Sequence, residues 1–369
     1  MQGVRVTSGI ELQKNRPLNL SWHGLLFVVL FMVLLSVADA QNALRSPWDG
    51  RPAVVKNGEY ECPPMPAMPR DINAYSFYSD DKHSEIDPKL YAAYNEEQTQ
   101  FRSVTAAIED AADTFQRTGS RGAAACVVQI LARQADANAM LGKMASNQSY
   151  YVQNWTIGAL AVAWLKVRQS DIASPTQQTK MLDWMANVAH STMTYFDERH
   201  AKKTKDGQNN HYYWAGFAVM TVGIATNDRK LFDWGVSTYN DAMQRVQPDG
   251  TLPLEMDRGQ RALHYHLFAL EPLVTMAEFG AANNIDLYGA DNGALHLLVR
   301  RSMSGLIDNS YFASKVGVPQ DTPEKGKIKP DDVLWLTPYL RRFPNADIAK
   351  LLHAVREKPI GYLGGLPPP

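Results

Sequence analysis

An all-α chain is predicted, and three observations predict it. Apolar residues recur at helical rather than alternating spacing: between Arg229 and Val246, Leu231, Trp234, Tyr239, Met243 and Val246 fall on one helix face. Turn signals cut this pattern into helix-sized lengths, at Thr226-Asn227-Asp228, Pro248-Asp249-Gly250 and Asp291-Asn292-Gly293. There is no run of alternating strands and no G-x-G-x-x-G or G-x-x-x-x-G-K-[ST] loop, so a nucleotide-binding α/β reading lacks its main support. Long helices joined by short turns read as stacked α-hairpins, consistent with a helical toroid. Periodicity alone leaves a solenoid or a large bundle open.

Taken in order, the chain begins with a targeting pattern. Arg5, Lys14 and Arg16 precede an uncharged apolar run from Gly24 to Leu35, and Val37-Ala38-Asp39-Ala40 offers a small-x-small cleavage site. The apolar run is short for a spanning helix, which needs roughly 20 residues. The expectation is a cleaved signal peptide over residues 1–40 followed by a single domain over 41–369, with a retained membrane anchor as the alternative. The chain has 369 residues, 45% of them hydrophobic, enough for a sizeable core. Its formal charge of −1 becomes −2 once three basic and two acidic residues leave with the leader. Such a balance gives no global pull toward nucleic acid, so any polyanion-binding surface must be a local cleft. After leader removal nothing calls for a membrane partner, and the domain is expected to be a monomer.

Cys62 and Cys126 are the only cysteines. In an oxidising compartment they are expected to pair, stapling the Cys62-Pro63-Pro64-Met65-Pro66 segment to a helix. Two buried free thiols are the alternative. The loop-entropy model allows roughly 4 kcal/mol for a bridge of this span. No CxxC or Cys/His metal spacing exists to support structural zinc. Residues 41–87 read as an irregular arm and a loop. Asp87-Pro88 then suits a helix start. Helices are expected at 88–117, 121–143, 150–169, 175–200, 210–226, 229–247, 258–282, 293–308 and 331–342.

Polar and ionisable groups concentrate between Gln208 and His266, inside otherwise ordinary amphipathic segments. Arg258, Arg261 and Tyr265 are spaced by three, four and seven, which puts two guanidinium groups and a phenol on one face of a helix starting near Asp257. A cation beside a phenol favours the phenolate. Asn209-Asn210-His211 sits at a helix start, where outward N–H groups favour an anion. Together these groups make a carboxylate neutraliser plus a proton-transfer pair, the needs of β-elimination from a uronic acid. Taken singly, each has a plainer reading. His211 would be a helix cap, Arg258 a solvated surface residue, and Tyr213 and Trp214 core. Glu255 and Asp257 could suggest a paired-carboxylate hydrolase, but both adjoin Arg258, where a depressed pKa suits neither as a general acid.

These residues also carry a family resemblance. Asn209-Asn210-His211-x-Tyr213-Trp214, Glu255-Met256-x-Arg258, Ala262-Leu263-x-Tyr265 and Phe268-Ala269-Leu270-x-Pro272-Leu273 resemble the alginate lyases of polysaccharide lyase family five. Leu231-Phe232-Asp233-Trp234 and Ile285-Asp286-Leu287-Tyr288, followed by Asn292-Gly293, are similar to that family too. The resemblance implies an (α/α) toroid or incomplete barrel with a long cleft and a lid loop, a periplasmic location, an anionic polysaccharide substrate, and no metal or organic cofactor. Carried across by motif, Asn210, His211, Arg258 and Tyr265 are the active-site quartet. Asn210 and Arg258, with His211, would neutralise the uronate carboxylate. Tyr265 would be acid and, for mannuronate, also base, while His211 would be the base when the C5 proton lies on the opposite face.

Substrate contacts are expected from Glu255, Arg261, Tyr213, Trp214 and Tyr150, the last in a segment that aligns with a cleft wall. The lid corresponds to Tyr75 through His83, with Tyr78 as its tyrosine and Lys82 and His83 as its cations. It lacks arginine, and Asp80-Asp81 would repel a polyanion, which departs from the family pattern and weakens the expectation of strict polymannuronate preference. The run Lys202, Lys203 and Lys205 would either steer a polyanion or form a solvated face.

Overall fold

In the computed structural model, Gly3 and residues 43–369 apart from Ala53 are described, and the leader expected over residues 1–40 lies outside the described residues. Helices account for nearly all regular structure. They are α1 Pro88–Glu97, α2 Thr99–Thr118, α3 Arg121–Asp136, α4 Asn147–Val167, α5 Pro175–Ala201, α6 Asn210–Thr226 and α7 Arg229–Arg245. There follow α8 Pro253–Met256, a 3-10 turn at Gly259–Arg261, α9 Ala262–Ala282, α10 Ala290–Ile307, α11 Ser310–Val316, α12 Pro330–Val333, α13 Leu336–Arg342 and α14 Ala346–His353. Among the described residues only isolated β-bridges occur, with no strand.

Two layers are visible. Helices α2, α4, α6 and α9 pack each against the next as an inner arc, and α3, α5, α7 and α10 back them from outside. Sequence explains the division. α4, α6 and α9 are apolar almost all round and are buried nearly end to end, as an inner helix must be. α7 carries a single apolar stripe, which it turns inward. The arc of inner helices is open between α9 and α2. A C-terminal 3-10 turn, Gly361–Leu363, fills that gap by packing on α2, α4 and α9.

The tail is locked from inside the core. Lys166 of α4, fully buried, bonds Asp113 of α2 at 2.5 Å and donates to the Gly364 carbonyl at 2.7 Å. Asp113 also accepts from the Leu366 N–H at 2.9 Å. Burial draws the Lys166 pKa below its ordinary range, and Asp113 works against that shift. Cys62 and Cys126 are bonded, tying the proline-rich arm to α3, with Cα atoms 5.3 Å apart.

Several boundaries move for identifiable reasons. The helix expected over 88–117 breaks at Gln98, whose N–H caps the first helix on the Tyr94 and Glu96 carbonyls. The helix expected to reach 143 stops at Asp136, because Asn138 and Met140 adopt left-handed backbone at φ 48° and 62°. Arg258 lies ahead of α9, in a turn made by Gly259 at φ +57°.

Candidate active site

One end of each inner helix faces a common cleft of about 1360 Å³, and for all four it is the N-terminal half. Gln98 at the N-cap of α2, with Arg102 and Glu109 within it, Gln148, Tyr151 and Trp155 of α4, His211 of α6, and His264, Tyr265 and Phe268 of α9 line it. Positive helix ends thus converge on one space, so a chain of net charge −1 holds a local field that favours anions.

Within the cleft, Arg258 and Tyr265 meet as the spacing implied, though not along one helix face. The guanidinium folds back from the turn and lies 3.7 Å from the centroid of the Tyr265 ring. Arg258 is only 7% exposed. Burial opposes its charge, and Tyr265, Glu255 and Tyr78 outweigh it, so the cation is held. Arg261 stands 5.4 Å from the same ring, with Asp321 3.6 Å from its Nε. Across the cleft the Tyr78 hydroxyl hydrogen-bonds the Tyr265 hydroxyl.

The lid is a short hairpin, bridged at Tyr78 and Ile86, that brings Tyr78 to this point. Asp80 shapes its tip by accepting from the Ser84 and Glu85 N–H groups, each at 2.8 Å. Gln260 holds the tip down by donating to the Ser84 carbonyl at 2.9 Å. Lys82 and His83 line the cleft, and the His83 ring sits edge-on to Tyr78 at 5.5 Å. Asp81 also lines the cleft, whereas Asp80 is engaged by the lid's own backbone.

His211 faces the arginine–tyrosine pair from α6. Asn209 caps that helix by accepting from the His211 N–H at 3.0 Å, which is why the imidazole is at the helix mouth. Tyr151 stacks on the imidazole at 3.8 Å and 15°. Asp206 in turn fixes Tyr151, accepting from its hydroxyl at 2.8 Å while bonded to Arg199 at 2.7 Å. Burial first, and then Arg258, lowers the His211 pKa to about 3, so the imidazole is neutral at ordinary pH. Its Nδ1 has no protein partner.

Asn210 stands one layer behind the cleft surface. It is fully buried, and both its N–H and its amide nitrogen donate to Glu255, at 2.7 and 2.9 Å. Burial raises the Glu255 carboxyl to about 7, with Arg258 and the Asn210 donors pulling the other way. Glu255 is therefore a positioning residue for Asn210 and does not itself line the cleft.

Glu255 is thereby corrected as an expected substrate contact, and three others are corrected with it. Tyr213 is buried and donates to the Gln208 carbonyl at 3.1 Å, because it follows His211 by two residues and points away. Trp214 is buried against Phe268 and donates to the Phe268 carbonyl at 3.1 Å. That carbonyl is free because Pro272, four residues on within α9, has no N–H. Tyr150 stacks on Tyr195 at 3.8 Å and does not line the cleft. Its neighbour Tyr151 does, and the Gln148, Tyr151, Trp155 spacing on one helix face was the signal available for it. Of the lysine run, Lys205 alone lines the cleft, and Lys202 pairs with Glu198.

His264 lines the cleft beside Tyr265, whereas His266 lies in the core. There His266 accepts from the Leu252 N–H at 2.8 Å, and its Nδ1 is 2.7 Å from the Ala262 carbonyl. Among the described residues no group of three or more His, Cys, Asp or Glu is placed to hold a metal ion.

A helical toroid whose cleft joins guanidinium, phenol and imidazole defines a polysaccharide lyase. The alginate lyase family model matches residues 71–312, and the chain belongs to the alginate lyase family. It is 35% identical to a polysaccharide lyase from Stenotrophomonas maltophilia, over 79% of this chain and 85% of that one. It is 34% identical to an alginate lyase from Cobetia marina, over 61% of this chain and 60% of the other. Alginate lyase A1-III from Sphingomonas species A1 shares the architecture with a TM-score of 0.71 at 25% identity, over 86% of this chain and 88% of that one. A variant of A1-III complexed with a tetrasaccharide superposes with a TM-score of 0.74 at 23% identity, over 89% and 91% of the two chains.

Proposed function

We propose that this lyase cleaves 1,4-linked uronate polymers, mannuronate-rich alginate first, by β-elimination within the chain. The observation that carries the reading is the Arg258 guanidinium held 3.7 Å from the Tyr265 ring and opposite a neutral His211. The C5 proton of a uronate is poorly acidic until its carboxylate charge is neutralised. Arg258, with His211 alongside, supplies that neutralisation and stabilises the enolate, and Asn210, braced by Glu255, supports the helix mouth carrying His211 from one layer behind. Tyr265 as phenolate takes the C5 proton. The C4–O4 bond then breaks as the C4–C5 double bond forms, and the proton goes to O4 of the departing chain.

One product carries a 4,5-unsaturated uronate at its new non-reducing end, and the other carries a new reducing end. When the C5 proton lies on the opposite face, His211 is the base, a role open to an imidazole that is already neutral. The same reading makes residues 41–369 a single catalytic domain, exported to the periplasm by cleavage near Gln41 and acting as a monomer. The relatives named alginate lyases and the tetrasaccharide complex support the substrate class.

The test is incubation with polymannuronate, polyguluronate, polyglucuronate and hyaluronan while following the ultraviolet absorbance of the unsaturated uronate. Unsaturated ends on mannuronate-rich polymer are the expected result. New reducing ends without that absorbance would mean hydrolysis and overturn the mechanism. Periplasmic fractionation and N-terminal sequencing should find a mature chain starting near Gln41.

A further inference from the structure

The short connection between α5 and α6, residues 202–209, is folded around a buried carboxylate outside the proposed quartet. Asp206 is 7% exposed. Its Oδ1 accepts from the Thr204 hydroxyl and from the Arg199 guanidinium, each at 2.7 Å. Its Oδ2 accepts from the Tyr151 and Tyr195 hydroxyls, at 2.8 and 3.0 Å. Burial opposes the Asp206 charge, and the Arg199, Thr204 and Tyr151 donors outweigh it, so the carboxylate stays ionised. Gly207 seals the connection onto α5, where a Cβ would lie 2.5 Å from the backbone carbon of Arg199.

Of these donors, Tyr151 alone stacks on the reaction centre. Its hydroxyl ends on Asp206, and its ring lies flat on the His211 imidazole at 3.8 Å and 15°. An imidazole that serves as base or donor is ordinarily oriented by a hydrogen bond at its second nitrogen. His211 lacks that bond, because its Nδ1 is buried without a protein partner. The ring is held by its faces instead. Trp155 packs nearby, 6.1 Å away and tilted by 38°, and itself stacks on Tyr362 at 4.9 Å. Tyr151 is the closer and the flatter of the two, so its position sets the imidazole plane.

Charge runs along the same path. Burial, Arg258 and His83 all disfavour a proton on His211, and Asp206 favours one. A phenol that donates to a carboxylate carries more electron density in its ring. Its stacked face is then a better partner for an imidazolium.

We propose that Asp206 is a positioning residue for the reaction: through the Tyr151 hydroxyl it fixes the plane of the His211 imidazole and favours the charge that ring acquires with a proton. The inference rests on the lyase reading, in which His211 helps neutralise the uronate or takes its C5 proton.

Asp206→Asn and Tyr151→Phe are compared singly and together on the uronate polymer that the wild type cleaves fastest. Each single change should lower kcat at least tenfold while KM stays within a factor of three. Because both act on one path, the double variant should lie within threefold of the slower single one. Losses that multiply, or a wild-type kcat in either single variant, overturn the proposal. A rise in KM at unchanged kcat does so too, since it makes Tyr151 a plain substrate contact. Tyr151→Phe keeps the buried ring, so it decides the matter alone if Asp206→Asn fails to fold.

Histidine-ring NMR separates this reading from the lyase one. Asp206→Asn should move the His211 ring signals, assigned by their loss in His211→Ala, and leave those of the core His266 in place. Unmoved His211 signals overturn the positioning role, even in a protein of full lyase activity. Equal shifts of both rings mean general loosening and overturn it as well. A wild type that forms no unsaturated product but shows the selective His211 shift keeps the Asp206–Tyr151–His211 path and loses the lyase reading.

Discussion

The two halves of the cleft are built on opposite principles. Around Tyr265 one buried guanidinium stands among groups already engaged with one another: Arg258 over the phenol ring, Tyr151 on the neutral His211 imidazole, Glu255 beneath Asn210. Toward Tyr362, Glu109 Oε1 and the Trp155 indole nitrogen are buried without a protein partner. The first half is preorganised for charge that develops during a reaction, where fixed donors are worth most. The second leaves buried polar atoms without protein partners. The two are therefore separable by mutation.

The largest separation should come from Tyr265→Phe. In the proposed mechanism it removes the one oxygen that both takes and gives the proton, and general acid–base groups contribute roughly 10²–10⁴-fold each. Turnover on polymannuronate should fall at least about 10³-fold while tetramannuronate affinity stays within a factor of three, measured by absorbance and calorimetry. A variant that keeps a tenth of wild-type kcat would remove Tyr265 from the chemistry. Arg258→Ala comes next, at roughly 10²–10³-fold in kcat, the scale set by losing one electrostatic stabiliser. Because the guanidinium also packs on Tyr78, at 5.7 Å, some increase in KM should accompany it.

The tail clamp joins the halves, and breaking it should act on one of them. Lys166→Met leaves Asp113 as a buried charge without its partner, and such removals cost roughly 3–5 kcal/mol. A lower melting temperature is expected, with loss of the compartment around Tyr362 before loss of the Arg258 centre. Rates on homouronans should therefore fall less than affinity for any ligand reaching Tyr362.

Legibility follows the same division. The proposed quartet Asn210, His211, Arg258 and Tyr265 was readable because it sits in two short stretches, 208–214 and 255–266, where unusual side chains interrupt ordinary helical patterning. Even there the local geometry was not. Gly259 takes Arg258 off the helix, and the contact with Tyr265 is restored only by the guanidinium folding back. The choice of Tyr150 over Tyr151 was a one-residue error in helix phase, large enough to exchange the cleft for a neighbouring ring. Trp214 stayed open between substrate contact and core because its partner, the carbonyl freed by Pro272, lies 54 residues away. The half around Tyr362 was invisible in sequence. Glu109, Trp155, Glu271 and Tyr362 belong to four separate segments, each ordinary alone, and only tertiary packing brings them to one cleft.

The smallest expected effect is also the one that best tests how the cutting half is held. Glu255 accepts two bonds from Asn210 and is pushed up to about 7 by burial. Above that pH its ionised carboxylate accepts both donors fully, and below it the proton competes for one oxygen. Wild-type kcat/KM should therefore rise through about pH 7. Glu255→Gln should flatten that rise and lower the plateau roughly tenfold, since an amide offers one acceptor where two are needed. Stability runs the other way. The folded pKa lies above the unfolded value of about 4.5, so Glu255 favours the fold below about pH 4.5, and that contribution is lost as pH rises through about 7. Relative to Glu255→Gln, the wild type should lose melting temperature between those limits while gaining activity across the upper part of the range. Parallel trends in the two measurements would mean that another group governs the profile. His211 is not that group, because a pKa near 3 leaves it neutral across the whole window.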